Sequence, residues 1–461
     1  MKKCLISATT LGLASFFSVV GYLHFFDHSQ AEKQLATMQF DQKQQKIANV
    51  LLKNGCQYCH SPSAELPFYA KFPVASTIMQ KDIEKGNRFF QLDPVLEGIK
   101  HPEKLSEVDL AKLERVLINN EMPIASFIHL HWGSRPDAEE KALLQDWIHT
   151  QRERFLPKET KGADASRFIQ PIPESLPTDP QKVALGHDLF FDGRFSADGS
   201  IECHTCHQLD KGGTDRLQTS TGIEGKKGGI NAPTVYNAAF NILQFWDGRA
   251  DSLATQAEGP PLNPVEMGSE NWEDIIAKFE ADDEFKQRFL SIYPNITKET
   301  LTDAIAEFEK TLITPNSAFD RYLKGDENAM TEAQKRGYES FQNAKCDTCH
   351  TGIAMGGQSF EYMGLYDDYF KARGTPITAD DQGRYSQTKD PRDMHRFKVP
   401  TLRNIALTAP YMHDGTITDL KEAVRVMAHY QSGKTLSDQE LNDITSFLEA
   451  LTGEYKGELL K

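Results

Sequence analysis

The most constraining feature of the sequence is a five-residue pattern in which two cysteines, separated by two residues, are followed at once by a histidine. With 7 cysteines and 14 histidines in 461 residues, chance gives about 0.003 copies of this pattern, the attachment motif of c-type haem. In that motif two thiols add to the vinyl groups of haem and the imidazole takes one axial position on the iron. The sequence therefore predicts three covalently bound haem c groups, at Cys56-Gln57-Tyr58-Cys59-His60, Cys203-His204-Thr205-Cys206-His207 and Cys346-Asp347-Thr348-Cys349-His350.

Neither disulfides nor zinc sites account for a histidine after every cysteine pair. The spacing adds information, because 147 residues separate Cys56 from Cys203 and 143 separate Cys203 from Cys346. Each haem therefore has about one domain's worth of chain. We expect a mainly α fold of three cytochrome c-like haem domains with long loops, preceded by one N-terminal transmembrane helix.

The evidence for that helix lies at the N-terminus, where Lys2 and Lys3 precede an uncharged run over residues 4–26. Those 23 residues would span about 35 Å as a helix, enough for a hydrocarbon layer of about 30 Å. We predict a retained inner-membrane anchor over residues 1–31, and Cys4 within it is a bystander. The alternative is a signal peptide cleaved near Ser29-Gln30-Ala31. Either interpretation places residues 32–461 in the periplasm.

Proline-rich segments and the spacing of the haem motifs predict the domain boundaries. We expect an N-terminal monohaem cytochrome c domain at 32–155, a proline-rich linker at 156–181, and two haem domains at 182–330 and 331–461. The net charge of −15 argues against a nucleic-acid partner. Helices are predicted at 32–53, 106–120, 136–155, 270–293, 298–313, 331–345, 419–431 and 437–452.

Axial ligands decide what each haem does, because a second strong ligand suits electron transfer and an open position can bind peroxide. For the first haem, Met122 is the expected second ligand, and Met79, His129 and His131 are alternatives. For the third haem, spacing alone makes Met427 a core residue more readily than a ligand. Its competitors are Met355, Met363, Met412, His395 and His413.

The middle haem is different, because residues 208–265 contain no histidine, methionine or cysteine. This segment and the residues just after it carry Trp246, Gln256 and Glu266. A carboxyl and an amide near an open iron would suit peroxide, one moving a proton and the other holding an oxygen. Taken alone, however, a single glutamate is more often a surface residue, and a tryptophan more often a core aromatic.

Several longer motifs within residues 185–433 resemble those of the bacterial dihaem cytochrome c peroxidases. Residues 32–155, with their extra haem motif, resemble the trihaem, membrane-bound branch thought to take electrons from quinol. The matching segments are Leu185-Gly186-x-x-Leu189-Phe190-Phe191-Asp192, residues 231–241, 245–249 and 265–267, and Leu402-Arg403-Asn404-Ile405-Ala406-Leu407-Thr408-Ala409-Pro410.

The resemblance implies a role for each matching residue. Glu266 would be the acid–base group, with Gln256 beside it in the distal pocket of the His207 haem. Met427 would be the second ligand of the His350 haem, and Trp246 an electron bridge between the two haems. A calcium ion would bind Asn231 and the backbone carbonyls of Thr408 and Pro410.

One departure from the family matters. Many members place a histidine 16 residues after the proximal histidine, where it caps the resting peroxidatic iron until reduction frees it. This sequence has Ile223 there. Isoleucine cannot ligate iron, so we expect a peroxidatic haem without the histidine cap. The alternative ligands of this iron are Lys211, Lys226, Lys227 and Met267.

The resulting expectation is a periplasmic peroxidase that reduces hydrogen peroxide to water with electrons relayed from quinol. A soluble cytochrome c or a cupredoxin is the alternative donor. Two other functions remain open, a non-catalytic trihaem electron-transfer protein and a relative that oxidises tryptophans in a partner protein. The latter has a tyrosine where Met427 stands, which argues against it.

Overall fold

The protein was analysed as a computed structural model that describes residues 2–158 and 160–461, with side chains from residue 13 onwards. Met1 and the side chains of Lys2, Lys3 and Cys4 therefore lie outside the described part. The chain forms two compact units, Met1–Phe155 and Leu156–Lys461.

The first unit is helical. Its helices are α1 (Lys2–Met38), α2 (Gln42–Lys53), α3 (Gln57–His60), α4 (Pro73–Phe89), α5 (Leu92–Lys100), α6 (Glu107–Asn119), α7 (Ala125–Ile128) and α8 (Ala138–Arg152). The core of this unit lies among α1, α2, α5, α6 and α8, where side chains such as Leu23, Leu51, Leu96, Leu110 and Ile148 are buried.

The predicted transmembrane helix is wrong. Within the described residues, no helix combines the length and the apolar character needed to cross a bilayer. α1 is 37 residues long, but it runs on through polar positions to Met38. Its second half contributes Leu23, Asp27 and Ala31 to the buried interior of the first unit.

The second unit is also mainly helical. Its helices are α9 (Pro180–Phe190), α10 (Cys203–Cys206), α11 (Leu253–Ala257), α12 (Gly259–Leu262), α13 (Trp272–Glu280), α14 (Asp283–Leu290), α15 (Lys298–Glu309), α16 (Ala318–Leu323), α17 (Glu332–Asn343), α18 (Tyr369–Arg373), α19 (Tyr385–Thr388), α20 (Leu420–Ser432) and α21 (Asp438–Glu449).

The same kind of helix crossing occurs twice in this unit, once around each of its haem motifs. α9 packs on α15 through Gly186, where a Cβ would lie 1.8 Å from the carbonyl oxygen of Ala304. α17 packs on α21 through Gly337, where a Cβ would lie 1.9 Å from the carbonyl oxygen of Asp443. Only glycine permits such close backbone approach. In each pair the glycine-bearing helix precedes the C-x-x-C-H turn and its partner helix follows it.

Strands contribute little. β1 (Phe360–Tyr362) pairs antiparallel with β2 (Arg396–Lys398), with Glu361 opposite Phe397. β3 (Glu454–Tyr455) pairs antiparallel with β4 (Glu458–Leu459). The β1–β2 ribbon lies next to Trp246, because the backbone N–H of Lys398 donates to the Trp246 carbonyl oxygen at 2.9 Å.

Candidate active site

Each C-x-x-C-H motif lies on a short helical turn, which brings its two cysteines, three residues apart, to the same side. The first two turns are α3 and α10, and the third is a 3-10 turn at Cys346–Thr348. The six motif cysteines are free thiols and partly buried. Burial raises the pKa of Cys59 and of Cys206 to about 11, so both thiols are uncharged near neutral pH.

Backbone carbonyls orient two of the motif histidines. Nδ1 of His60 lies 3.0 Å from the carbonyl oxygen of Phe90, and Nδ1 of His350 lies 3.0 Å from that of Met355. A carbonyl only accepts, so Nδ1 carries the proton and Nε2 keeps its lone pair. In the described part of the chain no hydrogen bond reaches either Nε2. Both rings therefore fit the role of proximal haem ligand.

The imidazole of His207 is held less tightly. Its Nδ1 makes no hydrogen bond of regular geometry with the described residues, although the backbone at Gly213 and Pro233 lies close to it. Burial lowers the pKa of His207, which keeps the ring neutral and able to ligate iron. The second motif thus also fits a c-type haem.

Glu266 lies beside this second motif, on the loop after α12. The side-chain amide of Asn263 donates to Glu266 Oε1 at 2.7 Å. Burial raises the pKa of Glu266, while the charge of Arg249 and the Asn263 hydrogen bond oppose that shift. The Glu266 charge in turn contributes to the raised pKa of Cys206. A carboxyl with increased proton affinity therefore stands near the haem-attachment thiols.

Two neighbours of Glu266 received no role from the sequence. Arg249 lies with its guanidinium 3.4 Å from the ring centroid of Phe245 and 3.0 Å from Asp247. Asn263 precedes Glu266 by three residues within one turn. The Phe245–Arg249 motif was visible in the sequence, but the approach of Arg249 to Glu266 is tertiary and leaves no trace in spacing.

Gln256, the other expected distal residue, lies on α11. The helix begins after Ser252, whose side chain accepts a hydrogen bond from the backbone N–H of Thr255. The Gln256 side chain is half-buried, and no hydrogen bond joins it to Glu266 or to another described residue. Its amide is therefore free to bind a small polar ligand.

Trp246 and Met427 contact the same buried apolar cluster. The indole Nε1 of Trp246 donates to the carbonyl oxygen of Asn231 at 2.9 Å, which fixes the ring. Met427 reaches the cluster from α20. The two residues expected between the haems and on the third iron thus meet around one core, made of Met363, Tyr369, Phe370 and Phe397.

Two of the alternative ligands for the third haem each make a hydrogen bond through one ring nitrogen. His395 Nδ1 lies 2.7 Å from the carbonyl oxygen of Asp381, and His413 Nε2 lies 2.8 Å from the Asp381 carboxylate. The other ring nitrogen of each makes no hydrogen bond with the described residues. Met427 as the ligand of the third haem therefore stays a prediction.

Met122, the ligand expected for the first haem, is 38% exposed in the loop after α6. Of its alternatives, His131 is buried with both ring nitrogens hydrogen-bonded, Nδ1 to Asp27 at 2.6 Å and Nε2 to Tyr69 at 2.8 Å. His131 thus has no free nitrogen for an iron in this arrangement. Met122 as a ligand stays a prediction.

Ile223 stands at the position where the resemblance led us to look for a capping histidine. It is buried, and its backbone N–H donates to the carbonyl oxygen of Glu266 at 2.8 Å. The preceding Gly222 packs so closely that a Cβ would lie 2.0 Å from the carbonyl oxygen of Val265. The loop is therefore fixed against the segment that carries Glu266.

The expected calcium ligands offer three free oxygens. The Asn231 amide nitrogen donates to the carbonyl oxygens of Leu217 and Gln218, which leaves Oδ1 without a hydrogen bond among the described residues. The carbonyl oxygens of Thr408 and Pro410 likewise accept none from that part of the chain. The described residues contain no group of three or more histidine, cysteine, aspartate or glutamate side chains able to hold a metal. A calcium ion here would depend on amide and carbonyl oxygens.

Comparison with known proteins agrees with these features. A family described as di-haem cytochrome c peroxidase matches residues 180–328, and one described as haem-binding domain matches residues 15–150. Cytochrome c peroxidase Ccp of Escherichia coli is 46% identical over 459 residues, which cover 98% of each chain. The chain belongs to the di-haem cytochrome c peroxidase family. It is accordingly an enzyme, a haem c-dependent peroxidase.

Two further proteins are similar to part of the chain. Cytochrome c551 peroxidase of Nitrosomonas europaea is 42% identical over 294 residues, covering 63% of this chain and 85% of that protein. The crystal structure of a MauG-like protein associated with microbial copper homeostasis has a TM-score of 0.54 at 30% identity, covering 62% of this chain and 94% of that one.

The family match corrects the expected architecture. The expected three cytochrome c-like domains behind a transmembrane helix are replaced by the mainly helical di-haem peroxidase fold. Residues 156–461 form one unit that contains two haem motifs. The physical reason is that Trp246, from the segment after one motif, and Met427, from the segment after the other, pack into a common core.

Proposed function

We propose that this peroxidase works in the periplasm, carries three haem c groups and takes its electrons from a quinol. The reaction is H2O2 + 2 electrons + 2 protons → 2 H2O. The observation that supports this reaction is the position of Glu266 beside the Cys203–Cys206 turn. Its carboxyl is half-buried and accepts a hydrogen bond from the side-chain amide of Asn263. A periplasmic location follows from the requirement that haem c be attached after export.

Each haem would be held by one motif. Cys203, Cys206 and His207 would hold the peroxidatic haem, and the other two motifs would supply His60 with Met122 and His350 with Met427. When bound, a c-type haem supplies an iron that exchanges single electrons and, where one axial position is open, binds peroxide. The free Nε2 atoms of His60 and His350 support this assignment.

Glu266 would move the proton. Because Asn263 holds Oε1, Oε2 is the oxygen left to accept a proton from peroxide and return it to the departing oxygen. The raised pKa makes the carboxyl a stronger base than an exposed glutamate. The free amide of Gln256 would hold a peroxide oxygen during this transfer.

Trp246 would serve electron transfer within the second unit. Its indole is fixed by the hydrogen bond to Asn231 and packs on the cluster that Met427 also contacts. A rigid aromatic ring in that position suits the passage of electrons between the groups held by His350 and His207.

A calcium ion would join Asn231 to the 408–410 segment. The free oxygens of Asn231, Thr408 and Pro410 support it. The backbone N–H of Asn231 also donates to the carbonyl oxygen of His413 at 2.8 Å, so the two segments already run side by side.

The donor is tested by steady-state assays of the purified holoprotein with a soluble quinol or with reduced cytochrome c. The haem motif of the first unit supports a separate point at which electrons enter. We expect quinol-driven peroxide reduction, lost when Cys56 and Cys59 are replaced by serine. Turnover with cytochrome c alone would favour the soluble donor that the relatives' names suggest.

A further inference from the structure

A buried hydrogen-bond chain lies within the first unit, and the peroxidase reaction does not use it. The Tyr69 hydroxyl lies 2.8 Å from Nε2 of His131, and Nδ1 of His131 lies 2.6 Å from Oδ2 of Asp27. The hydroxyl of Tyr58 donates to the other oxygen of Asp27 at 2.8 Å. His131 is 1% exposed and Asp27 6%, so the chain is shielded from water.

The directions of these hydrogen bonds identify a base. An ionised Asp27 only accepts, so the Nδ1 proton of His131 points to Asp27 and Nε2 holds a lone pair. Tyr69 therefore donates to that lone pair, and the lone pairs of its own oxygen are left to accept a proton from outside. Burial and the charge of Asp27 raise the pKa of Tyr69, so its hydroxyl stays protonated and can only relay.

The inner end of the chain reaches the first haem motif. Tyr58 stands between Cys56 and Cys59. The ring of Phe127 stacks on His131 with centroids 3.9 Å apart and lies over Gly55, where a Cβ would be 2.6 Å from it. The proton acceptor is thus a direct neighbour of the segment that binds the first haem.

Exposed aromatic residues flank the outer end of the chain in sequence. Tyr69 is half-buried, its sequence neighbour Phe68 is 38% exposed, and Trp132, next to His131, is 49% exposed. Tyr22 packs on Phe68 with ring centroids 5.4 Å apart. Exposed aromatic rings of this kind are stacking partners for a planar apolar ring.

We propose that this surface binds a quinol and that Tyr69, His131 and Asp27 receive its protons. The inference rests on the quinol donor proposed above and gives it a site. A hydroquinone loses two electrons and two protons on becoming a quinone, and a one-electron haem c carrier can take only the electrons. The protons need a base at the same place.

The steps balance as follows. As the first electron leaves for the c-type haem of the first unit, the quinol O–H proton passes to Tyr69 and the Tyr69 proton passes to His131 Nε2. Asp27 stabilises the imidazolium. After His131 has released that proton to water through Tyr69, the semiquinone loses the second electron and second proton in the same way. One quinol then supplies the two electrons that one peroxide consumes.

The test follows haem reduction in the purified holoprotein by stopped-flow absorbance, under anaerobic conditions. Menadiol is the quinol, and reduced hexaammineruthenium is a donor that carries no proton. His131→Gln keeps hydrogen-bonding groups but removes the base, and Tyr69→Phe removes one oxygen. We expect each to slow reduction by menadiol about 100-fold, to change its solvent deuterium isotope effect, and to leave reduction by ruthenium unchanged. Menadione binding, followed by Trp132 fluorescence, should be retained in His131→Gln.

The matched control is His149→Gln. His149 also pairs with a carboxylate of the first unit, Glu114, at 2.7 Å, but it has no part in the chain. Menadiol should reduce the haems of the His149→Gln variant at the same rate as those of the wild type. If menadiol reduces wild type and both test variants equally fast, the proton site is wrong and the quinol donor stands. If ruthenium but not menadiol reduces wild type, the donor proposal fails and this inference fails with it.

Discussion

The backbone N–H of Ile223 donates to the carbonyl oxygen of Glu266 at 2.8 Å. The loop that contains Ile223 is therefore fixed to the backbone of Glu266, the proposed acid–base residue. Ile223 is buried beside Gly268, with its side chain 3.1 Å from where a Cβ on that glycine would stand. The loop has a packed position that requires no iron ligand.

We predict that the His207 haem of the fully oxidised enzyme binds peroxide without prior reduction, because Ile223 cannot ligate iron. Rapid mixing of peroxide with the oxidised and with the half-reduced enzyme should give the same initial rate of binding. Ile223→His should make peroxide binding depend on prior reduction. A wild-type enzyme that binds peroxide only after reduction would contradict this prediction.

Glu266→Gln should lower kcat by at least about 100-fold, because an amide cannot accept the peroxide proton. Covalent haem content, measured by mass spectrometry, should be unchanged. Glu270→Gln, an exposed position four residues further along, is the control and should keep wild-type activity. Equal activity in the two variants would remove Glu266 from the mechanism.

The pH dependence of kcat/KM should show the raised pKa of Glu266. The carboxylate is the active form, so activity falls as the pH drops through that pKa, at a higher pH than for an exposed glutamate. Arg249→Gln removes the charge that opposes the shift and should move the acid limb to still higher pH. An acid limb that stays in place or moves down would show that Arg249 does not act on Glu266.

Trp246→Phe should slow electron transfer within the second unit and leave haem attachment intact. Phenylalanine keeps an aromatic ring in the cluster but loses the hydrogen bond to Asn231. Single-turnover reoxidation of the fully reduced enzyme by peroxide measures the effect. Trp272→Phe, which alters a partly buried indole packed on Phe195, should behave as wild type. Identical rates in the two variants would argue against an electron-transfer role for Trp246.

Calcium should stabilise the protein through Asn231. A ligand present at 100 times its Kd adds about 2.7 kcal/mol to the free energy of unfolding. Wild type should therefore melt at a higher temperature in calcium than in EGTA, and Asn231→Ala should melt at the same temperature in both. If the melting temperature of the wild type is the same in calcium and in EGTA, the calcium site is excluded.

Covalent chemistry made the haem motifs predictable, because attachment fixes both residue types and spacing. Local capping also leaves a sequence signal. Ser437 caps α21 and forms a capping box with Glu440, at the start of the helix predicted over 437–452. The predicted helix over 270–293 is instead two helices, since the side chain of Asp282 caps the start of α14.

Tertiary relationships were not predictable. The charge of Arg249 acts on the pKa of Glu266, and a hydrogen bond joins His131 to Asp27. Both interactions link residues that are separated in sequence. The N-terminal apolar run was predicted to be a membrane anchor because hydropathy does not show which residues a helix packs against. In the structure, Leu23 and Asp27 on one face of α1 are buried in the first unit.

The most direct test is electron paramagnetic resonance of the holoprotein in the oxidised and half-reduced states, with and without peroxide. We predict a high-spin ferric signal in at least one redox state, and this signal should change when peroxide is added. Its loss in a Cys203→Ser/Cys206→Ser variant would assign it to the His207 haem. Low-spin, six-coordinate iron at every haem in both states, unchanged by peroxide, would contradict it.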